Sequence, residues 1–129
     1  MSHWSEKYIG EPWVSTENDC WAFVRRVWLE QFQLSVPAVD VDAHSQLACV
    51  RAFSSHEEIS NWKQVDTPCD GDGVLIGKNR RPSHVGIYVS IGSGRILHCV
   101  QGVGVICQDL QSMAFMGLRP LGYYQRIVK

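Results

Sequence analysis

Residues 18–32 read NDCWAFVRRVWLEQF. The apolar side chains of this stretch fall on one half of a helical wheel, and Arg25, Arg26 and Glu30 fall on the other, as in an amphipathic helix. The apolar members are Cys20, Trp21, Phe23, Val24, Val27, Trp28 and Phe32. The polar run STEND at 15–19 is typical of a helix start. The pattern therefore predicts a helix that begins at or just before Cys20 and ends before Pro37.

Two more helices and a set of strands are predicted after this helix. Helical spacing continues from about 42 to 53, and the capping-box spacing of Ser55-His56-Glu57-Glu58 opens a third helix. From Gly71 onward, short β-branched runs alternate with glycines, at 74–76, 84–89, 95–100, 103–107 and 123–128. Helices followed by a meander of about five strands predict an α+β domain with an antiparallel sheet. We expect one domain, residues 1–129.

Composition and charge exclude several classes of protein. The 129 residues are 45% apolar and 19% charged, which is typical of a globular domain. A formal net charge of −1 argues against a nucleic-acid-binding surface. No stretch approaches the ~20 apolar residues that span a bilayer, and the first residues have no apolar core of a signal peptide. We therefore expect no nucleic-acid or membrane partner, and a protein kept in the cytoplasm unless a particle carries it out.

The cysteines are scattered, and one of them stands at a helix start. The five cysteines, at 20, 49, 69, 99 and 107, have no CxxC spacing, so neither a zinc knuckle nor a disulfide framework is indicated. The N–H groups and dipole of a first helical turn favour a thiolate and can hold a developing oxyanion. Cys20 is thus placed for acyl-transfer chemistry. Its position on the apolar face also fits a buried core thiol.

A nucleophilic thiol needs a base, and the base needs a group that orients it. Three of the five histidines lie in polar or helical stretches and are predicted to be solvated: His3, His44 and His56. His84 and His98 lie in strand-like runs instead. A lone strand histidine is usually a hydrogen-bonded core or rim residue. Two on adjacent strands, together with a cysteine at a helix start, indicate chemistry.

The two-residue period of strands constrains this pair. In an antiparallel hairpin, the residue numbers of two directly opposite residues add up to the same value along the ladder. His84 and His98 are both even-numbered, so they share a face when that sum is even. A two-residue turn at Gly92-Ser93 gives a sum of 185 and puts the two histidines on opposite faces. A five-residue loop at 90–94 gives a sum of 184 and puts them on the same face. The glycines in this loop suit positive φ. We predict an odd-length loop or a bulge, with both histidines and Gly86 on the face that meets Cys20.

Four motifs stand in order along the chain: DCWAFVR at 19–25, DGDGVL at 70–75, SHVGIYV at 83–89 and GRILHCV at 94–100. Together they resemble the NlpC/P60 family of papain-like cell-wall cysteine peptidases, over most of the chain from Tyr8 to about Val105. The resemblance implies a papain-like fold. It implies Cys20 as nucleophile, His84 as base and His98 as the residue that orients the base. It also makes three neighbouring residues candidates for substrate binding: Asp19, Trp13 and Ser83.

The same resemblance implies an activity. It points to hydrolysis of an amide bond in the peptidoglycan stem peptide, between D-glutamate and a diamino acid such as diaminopimelate. It implies neither a metal nor an organic cofactor. The cysteine precedes the histidine, as in the peptidase branch, whereas lipid acyltransferase relatives have the reverse order. The compact chain is most similar to members associated with phage tails, so tail proteins are expected partners and a virion the expected carrier to the cell wall.

One segment departs from the family pattern, and three alternatives stay open. Members commonly have Pro-Tyr followed by Trp-Gly-Gly, where this chain has Pro12-Trp13 followed by VSTE at 14–17. Trp13 offers an N–H donor but no hydroxyl acceptor, so the phenol contact of that tyrosine does not carry over, and Trp13 also fits a core aromatic. The alternatives are a phage-tail structural or assembly component with a vestigial site, and a cysteine amidase or deamidase with another substrate. A metal site of Cys20, His84, His98 and Cys99 ranks last, because paired-ligand spacing is missing.

Overall fold

The computed structural model describes residues 3–15, 17–37, 60–78 and 80–127. A 3-10 helix, Trp4–Tyr8, precedes helix α1, Cys20–Phe32. The elements that follow are β1 Trp62–Val65, β2 Gly73–Lys78, β3 Arg81–Val89, β4 Arg95–Val100, β5 Gly104–Gln108, α2 Leu110–Phe115 and β6 Arg119–Arg126. The helices predicted at 42–53 and from Ser55 lie outside the described residues. In the described ranges no helix is long and apolar enough to cross a membrane.

Helix α1 has the predicted bounds. The Asp19 backbone is extended, and its Oδ1 accepts from the Ala22 N–H at 2.8 Å, which makes Asp19 the N-cap. The helix ends at Gln33, which has a left-handed φ of 52°. The buried side chains all come from the predicted apolar face: Phe23, Val24, Val27 and Trp28. Burying each contributes roughly 1.5–3 kcal/mol, so packing on the sheet is what stabilises this helix.

The sheet is antiparallel, with strand order β1-β6-β2-β3-β4-β5. Strands β2 to β5 are sequential neighbours, as their short spacing predicts, whereas β6 returns after α2 to lie between β1 and β2. The α+β class with a papain-like arrangement is confirmed. Within the described ranges the sheet has six strands where about five were expected, because the four residues of β1 are too few for a visible alternation.

The two faces of the sheet pack against different elements, because strand side chains alternate between faces. Odd-numbered residues of β3 and β4 join α1 in the first core cluster: Val85, Ile87, Val89, Leu97 and Cys99. Even-numbered Tyr88 and Ile96 belong to the second cluster, which also contains the buried Met113 of α2. Helix α1 therefore covers one face of these strands, and α2 packs on the other.

The N-terminal 3-10 helix is tied to the loop before β2. Nε2 of His3 lies 3.0 Å from Oδ1 of Asp70, and the Trp4 indole donates to Oδ2 at 2.8 Å. The prediction that His3 is solvated is wrong. Its ring caps the 3-10 helix and contacts this carboxylate, which leaves 21% of the side chain exposed. His44 and His56 lie outside the described residues.

Candidate active site

Cys20 is the first residue of α1 and is partly buried against the first core cluster. Directly before it, Asp19 caps the helix. One residue earlier, the Asn18 carbonyl accepts a hydrogen bond from the Cys99 thiol at 3.1 Å. Cys99 follows His98 in β4. This contact therefore holds the start of α1 beside the part of β4 that carries His98.

A polar network fixes the segment that leads into Cys20. The Asn18 side-chain N–H donates to the Pro12 carbonyl at 2.8 Å, and Arg26 of α1 donates to Asn18 Oδ1 at 3.1 Å. Arg26 also forms an ion pair with Glu11. The sequence pattern predicts Arg26 only as a residue of the polar helix face and does not indicate this network. A nucleophile gains from such support, because small displacements of a reacting group slow the reaction.

His84 and His98 form a hydrogen-bonded pair. Nε2 of His84 lies 2.9 Å from Nδ1 of His98. Val89 pairs with Arg95, so the register sum is 184 and the loop between β3 and β4 has five residues. The prediction of an odd-length loop is confirmed. A Cβ built on Gly86 would lie 3.1 Å from the His98 Cβ, so Gly86 and His98 are immediate neighbours, as predicted.

Burial favours the neutral form of both rings of the pair. Desolvation, with a smaller contribution from His98, lowers the pKa of His84 to about 3. Burial also lowers the pKa of His98, against the opposing effect of its hydrogen bond to Gln108. His98 has no exposed surface, whereas part of His84 reaches the surface. A neutral, partly accessible imidazole is the form that can take a proton as a general base.

Strand alternation places the pair away from the body of α1. Both histidines have the even parity of the residues that pack in the second cluster, opposite the face that α1 covers. A contact between His84 and Cys20 therefore needs a departure from regular alternation. His84 lies within β3, opposite Ile76, after which the β2–β3 register is irregular. That the pair meets Cys20 there stays a prediction.

The three candidate substrate-binding residues have different surroundings. Asp19 is buried, and its carboxylate caps α1. Trp13 is partly buried against the first core cluster. Ser83 is partly buried and directly precedes His84 in β3. Substrate contact stays a prediction for each, and the position of Asp19 also fits a structural role.

The other described cysteines differ from Cys20 in position. Burial, with Asp19 and Glu11 adding to it, raises the pKa of Cys99 to about 11. Burial also raises the pKa of Cys107, so both thiols stay protonated at neutral pH. Cys69 is exposed, and Cys49 lies outside the described residues.

The described residues contain no group of three or more His, Cys, Asp or Glu side chains that could hold a metal ion. The four ligands of the metal alternative all belong to the described ranges and do not form such a group. The Cys99 thiol is directed to the Asn18 carbonyl instead. The metal alternative therefore has no support in the geometry.

Gln108 extends the histidine pair and was missed by the sequence analysis. Its Oε1 lies 2.8 Å from Nε2 of His98. The β4–β5 register pairs His98 with Ile106 and Ile96 with Gln108, so even-numbered residues of both strands share a face. Extending the two-residue period from β4 to the next hairpin would have identified Gln108 as a neighbour of His98.

Comparison with known proteins gives one family. No curated protein matches the chain. The model of the NlpC/P60 family matches residues 7–117, a range that contains Cys20, both paired histidines and Gln108. Members of this family are cysteine peptidases that act on cell-wall peptidoglycan. Because the match extends over far more than half of the sequence and the fold is the papain-like one that the motifs implied, the chain belongs to the NlpC/P60 family.

Proposed function

We propose that this protein is a cysteine peptidase that hydrolyses an amide bond of the peptidoglycan stem peptide. Cys20 is the nucleophile, His84 its base, and His98 the residue that orients the base. The observation that carries the proposal is the 2.9 Å hydrogen bond between two histidines on adjacent strands, in a chain whose candidate nucleophile begins a capped helix. A base held by a second polar group is what an activated thiol requires.

The reaction proceeds in two halves. The His84 imidazole takes the Cys20 thiol proton as sulfur attacks the carbonyl carbon, and the backbone N–H of Cys20 in the first turn of α1 donates to the oxyanion. The C–N bond then breaks, and His84 delivers the proton to the leaving amine. Water attacks the thioester in the second half, with His84 again acting as base, and releases the carboxylic acid and the Cys20 thiol.

The proposed bond joins D-glutamate to a diamino acid. Family membership supports a stem-peptide substrate, and the motif resemblance supports this bond. The test is incubation with purified peptidoglycan and mass spectrometry of the soluble products. We expect a new fragment that ends in D-glutamate and a complementary fragment with a new amino terminus on the diamino acid. The Cys20→Ala variant should release neither, while Cys69→Ala, which removes an exposed thiol, should release both.

The same experiment separates the alternatives. Release of ammonia without chain cleavage would indicate a deamidase, and cleavage at another amide bond an amidase of different specificity. Peptidoglycan that stays intact with the wild-type protein would contradict the proposal and favour a structural component with a vestigial site. Similarity to phage-tail-associated members supports carriage by a virion, which mass spectrometry of purified particles from the producing cells would test.

A further inference from the structure

Beyond the cysteine and the two histidines, a glutamine and a methionine continue the hydrogen-bonded chain. We propose that Gln108 is a positioning residue that fixes the tautomers of both histidines, and that Met116 fixes the orientation of Gln108. The effect of these residues on catalysis rests on the proposed function. The assignment of the tautomers rests on the hydrogen-bond geometry and burial of the side chains.

The chain is continuous from the thioether to the base. The Gln108 side-chain Nε2 lies 3.2 Å from Met116 Sδ, and its Oε1 lies 2.8 Å from His98 Nε2. His98 Nδ1 in turn lies 2.9 Å from His84 Nε2. Each of these contacts joins two atoms at hydrogen-bond distance, allowing for the larger radius of sulfur.

Met116 determines which way the Gln108 amide faces. A thioether sulfur can accept a hydrogen bond but has no proton to donate. If the amide were rotated by half a turn, its oxygen would face the sulfur, and two acceptors would lie in contact. The amide N–H group therefore faces Met116, and the amide oxygen faces His98.

The orientation of Gln108 then propagates through both rings. An amide oxygen is an acceptor, so Nε2 of His98 carries a proton and donates it. In a neutral imidazole the other nitrogen has a lone pair, so Nδ1 of His98 accepts from the Nε2–H of His84. Nδ1 of His84 is consequently left with a lone pair. That nitrogen is the atom that can take the proton of a thiol.

Burial favours one combination of tautomers for the two histidines. A doubly protonated His98 would donate from both nitrogens and force His84 into the opposite tautomer. Desolvation lowers the pKa of both rings, and the enclosed position of His98 disfavours its cation. The neutral His98 with its proton on Nε2 is therefore the one state that satisfies Gln108 and His84 together.

Helix α2 positions Met116 beside Gln108. Asp109, directly after Gln108, caps α2 by accepting from the Ser112 N–H at 2.8 Å. Met113 of the same helix is fully buried in the second core cluster, and Met116 is the C-cap residue. The short helix thus reverses the chain direction, so that its C-cap residue, Met116, contacts Gln108, which lies just before the helix.

The test is nitrogen-15 NMR of the imidazoles in the intact protein without substrate. We expect both histidines of the pair to be neutral Nε2–H tautomers at neutral pH. Gln108→Leu removes the acceptor, and should give His98 a mixture of tautomers and lower kcat on peptidoglycan by at least about tenfold, since a wrong tautomer in a serine-protease triad costs up to about 10⁴-fold. Gln108→Glu keeps an acceptor, so Nε2 of His98 should stay protonated. Gln111→Ala, an exposed change in α2, should alter neither quantity.

Failure of this proposal is distinguishable from failure of the proposed function. An Nδ1–H tautomer of His98 in the wild-type protein, or unchanged tautomers in a folded Gln108→Leu variant, would overturn the positioning role. If Gln108→Leu does not fold, the spectra of the wild-type protein and of Gln108→Glu still show whether Nε2 of His98 carries the proton, and so they test the positioning role. Observing the expected tautomers in a protein that leaves peptidoglycan and other amides intact would refute the enzyme activity alone.

Discussion

The cysteines of this chain are expected to differ in reactivity because their surroundings differ. Cys20 begins a capped helix, while Cys99 is buried and donates to a backbone carbonyl. The sequence predicted this contrast from one fact, that Cys20 starts an amphipathic segment. It did not predict Gln108, because that assignment needs the register of the β4–β5 hairpin, and the strand predicted at 103–107 stops one residue short of Gln108.

We expect Cys20 to be alkylated by iodoacetamide near neutral pH faster than the other cysteines. A helix N-terminus favours the reactive thiolate, as does the imidazole proposed to act on Cys20, whereas burial raises the pKa of Cys99 and Cys107. Peptide mapping after brief labelling measures the rates, and unfolded protein provides the reference in which all thiols react. Faster labelling of Cys49 or Cys69 than of Cys20 would show that the nucleophile is assigned wrongly.

Replacing His84 by alanine should abolish hydrolysis and leave the fold intact. Loss of a general base costs at least ~10²-fold in rate. The matched control is His3→Ala, which should retain activity and lose about 1 kcal/mol of unfolding free energy, because it removes a cap. Rates on peptidoglycan and denaturant unfolding of both variants provide the comparison. Near-normal turnover by the His84 variant would exclude it from the mechanism.

At the scale of elements, long periodic segments were predictable and short ones were not. The bounds of α1 and β4 agree with the predicted ranges, since enough residues show the period. The four residues of β1 and the six of α2 carry too few repeats, and contacts made elsewhere in the chain determine them. The β3–β4 loop was predictable because it had to satisfy a parity condition that the two histidines imposed.

Gly86→Ala should destabilise the protein by about 1–3 kcal/mol and reduce activity. The added Cβ would lie 2.9 Å from Ile96 Cγ2, 3.0 Å from the Leu97 carbonyl oxygen and 3.1 Å from His98 Cβ, so β4 must move and take His98 with it. Denaturant unfolding and peptidoglycan hydrolysis measure the two effects.

The control for this change is Gly102→Asn. Asparagine adopts its left-handed φ of 82° more readily than most residues do, and no atom of the described residues lies within 4 Å of the added Cβ. This variant should be close to wild type in both measurements. A Gly86→Ala protein as stable and active as the control would show that the strands have room that the geometry does not indicate.

At the scale of the whole molecule, the class of fold was predictable and the strand order was not. Helices before strands with short connections predict an α+β domain with sequential neighbours. Insertion of β6 between β1 and β2 brings together segments about sixty residues apart in sequence, such as Trp62 and Arg126. No local period encodes that pairing, because it joins strands that are far apart in the sequence.

The buried pair should make the whole fold less stable as the pH falls below about 6.5. Both histidines have a pKa lowered by folding, so in this range the unfolded chain binds protons that the native state does not. Stability is therefore fully present above the unfolded pKa, and is lost by up to about 1.4 kcal/mol per pH unit for each histidine.

Urea unfolding between about pH 7.5 and 5 measures this slope. A His98→Gln variant should show a shallower one, since one titrating group is gone. Asp72, whose pKa burial raises, acts in the opposite direction but is present in both proteins and cancels in the comparison. Equal slopes for the two proteins would mean that His98 is protonated to the same extent in the folded and unfolded states.

The five-residue loop between β3 and β4 has a consequence for the history of the family. Opposite residues of two antiparallel strands share a face, so the loop may change in length as long as His98 stays across from Gly86. A slip of β4 by one residue along β3 would exchange its two sides and turn His98 toward the solvent-excluded layer beneath α1. A residue added or deleted in this hairpin should therefore have been absorbed by the loop and not by the register. The spacing of fourteen positions between the two histidines can then vary among active relatives, while the second histidine stays across from the residue two positions after the first.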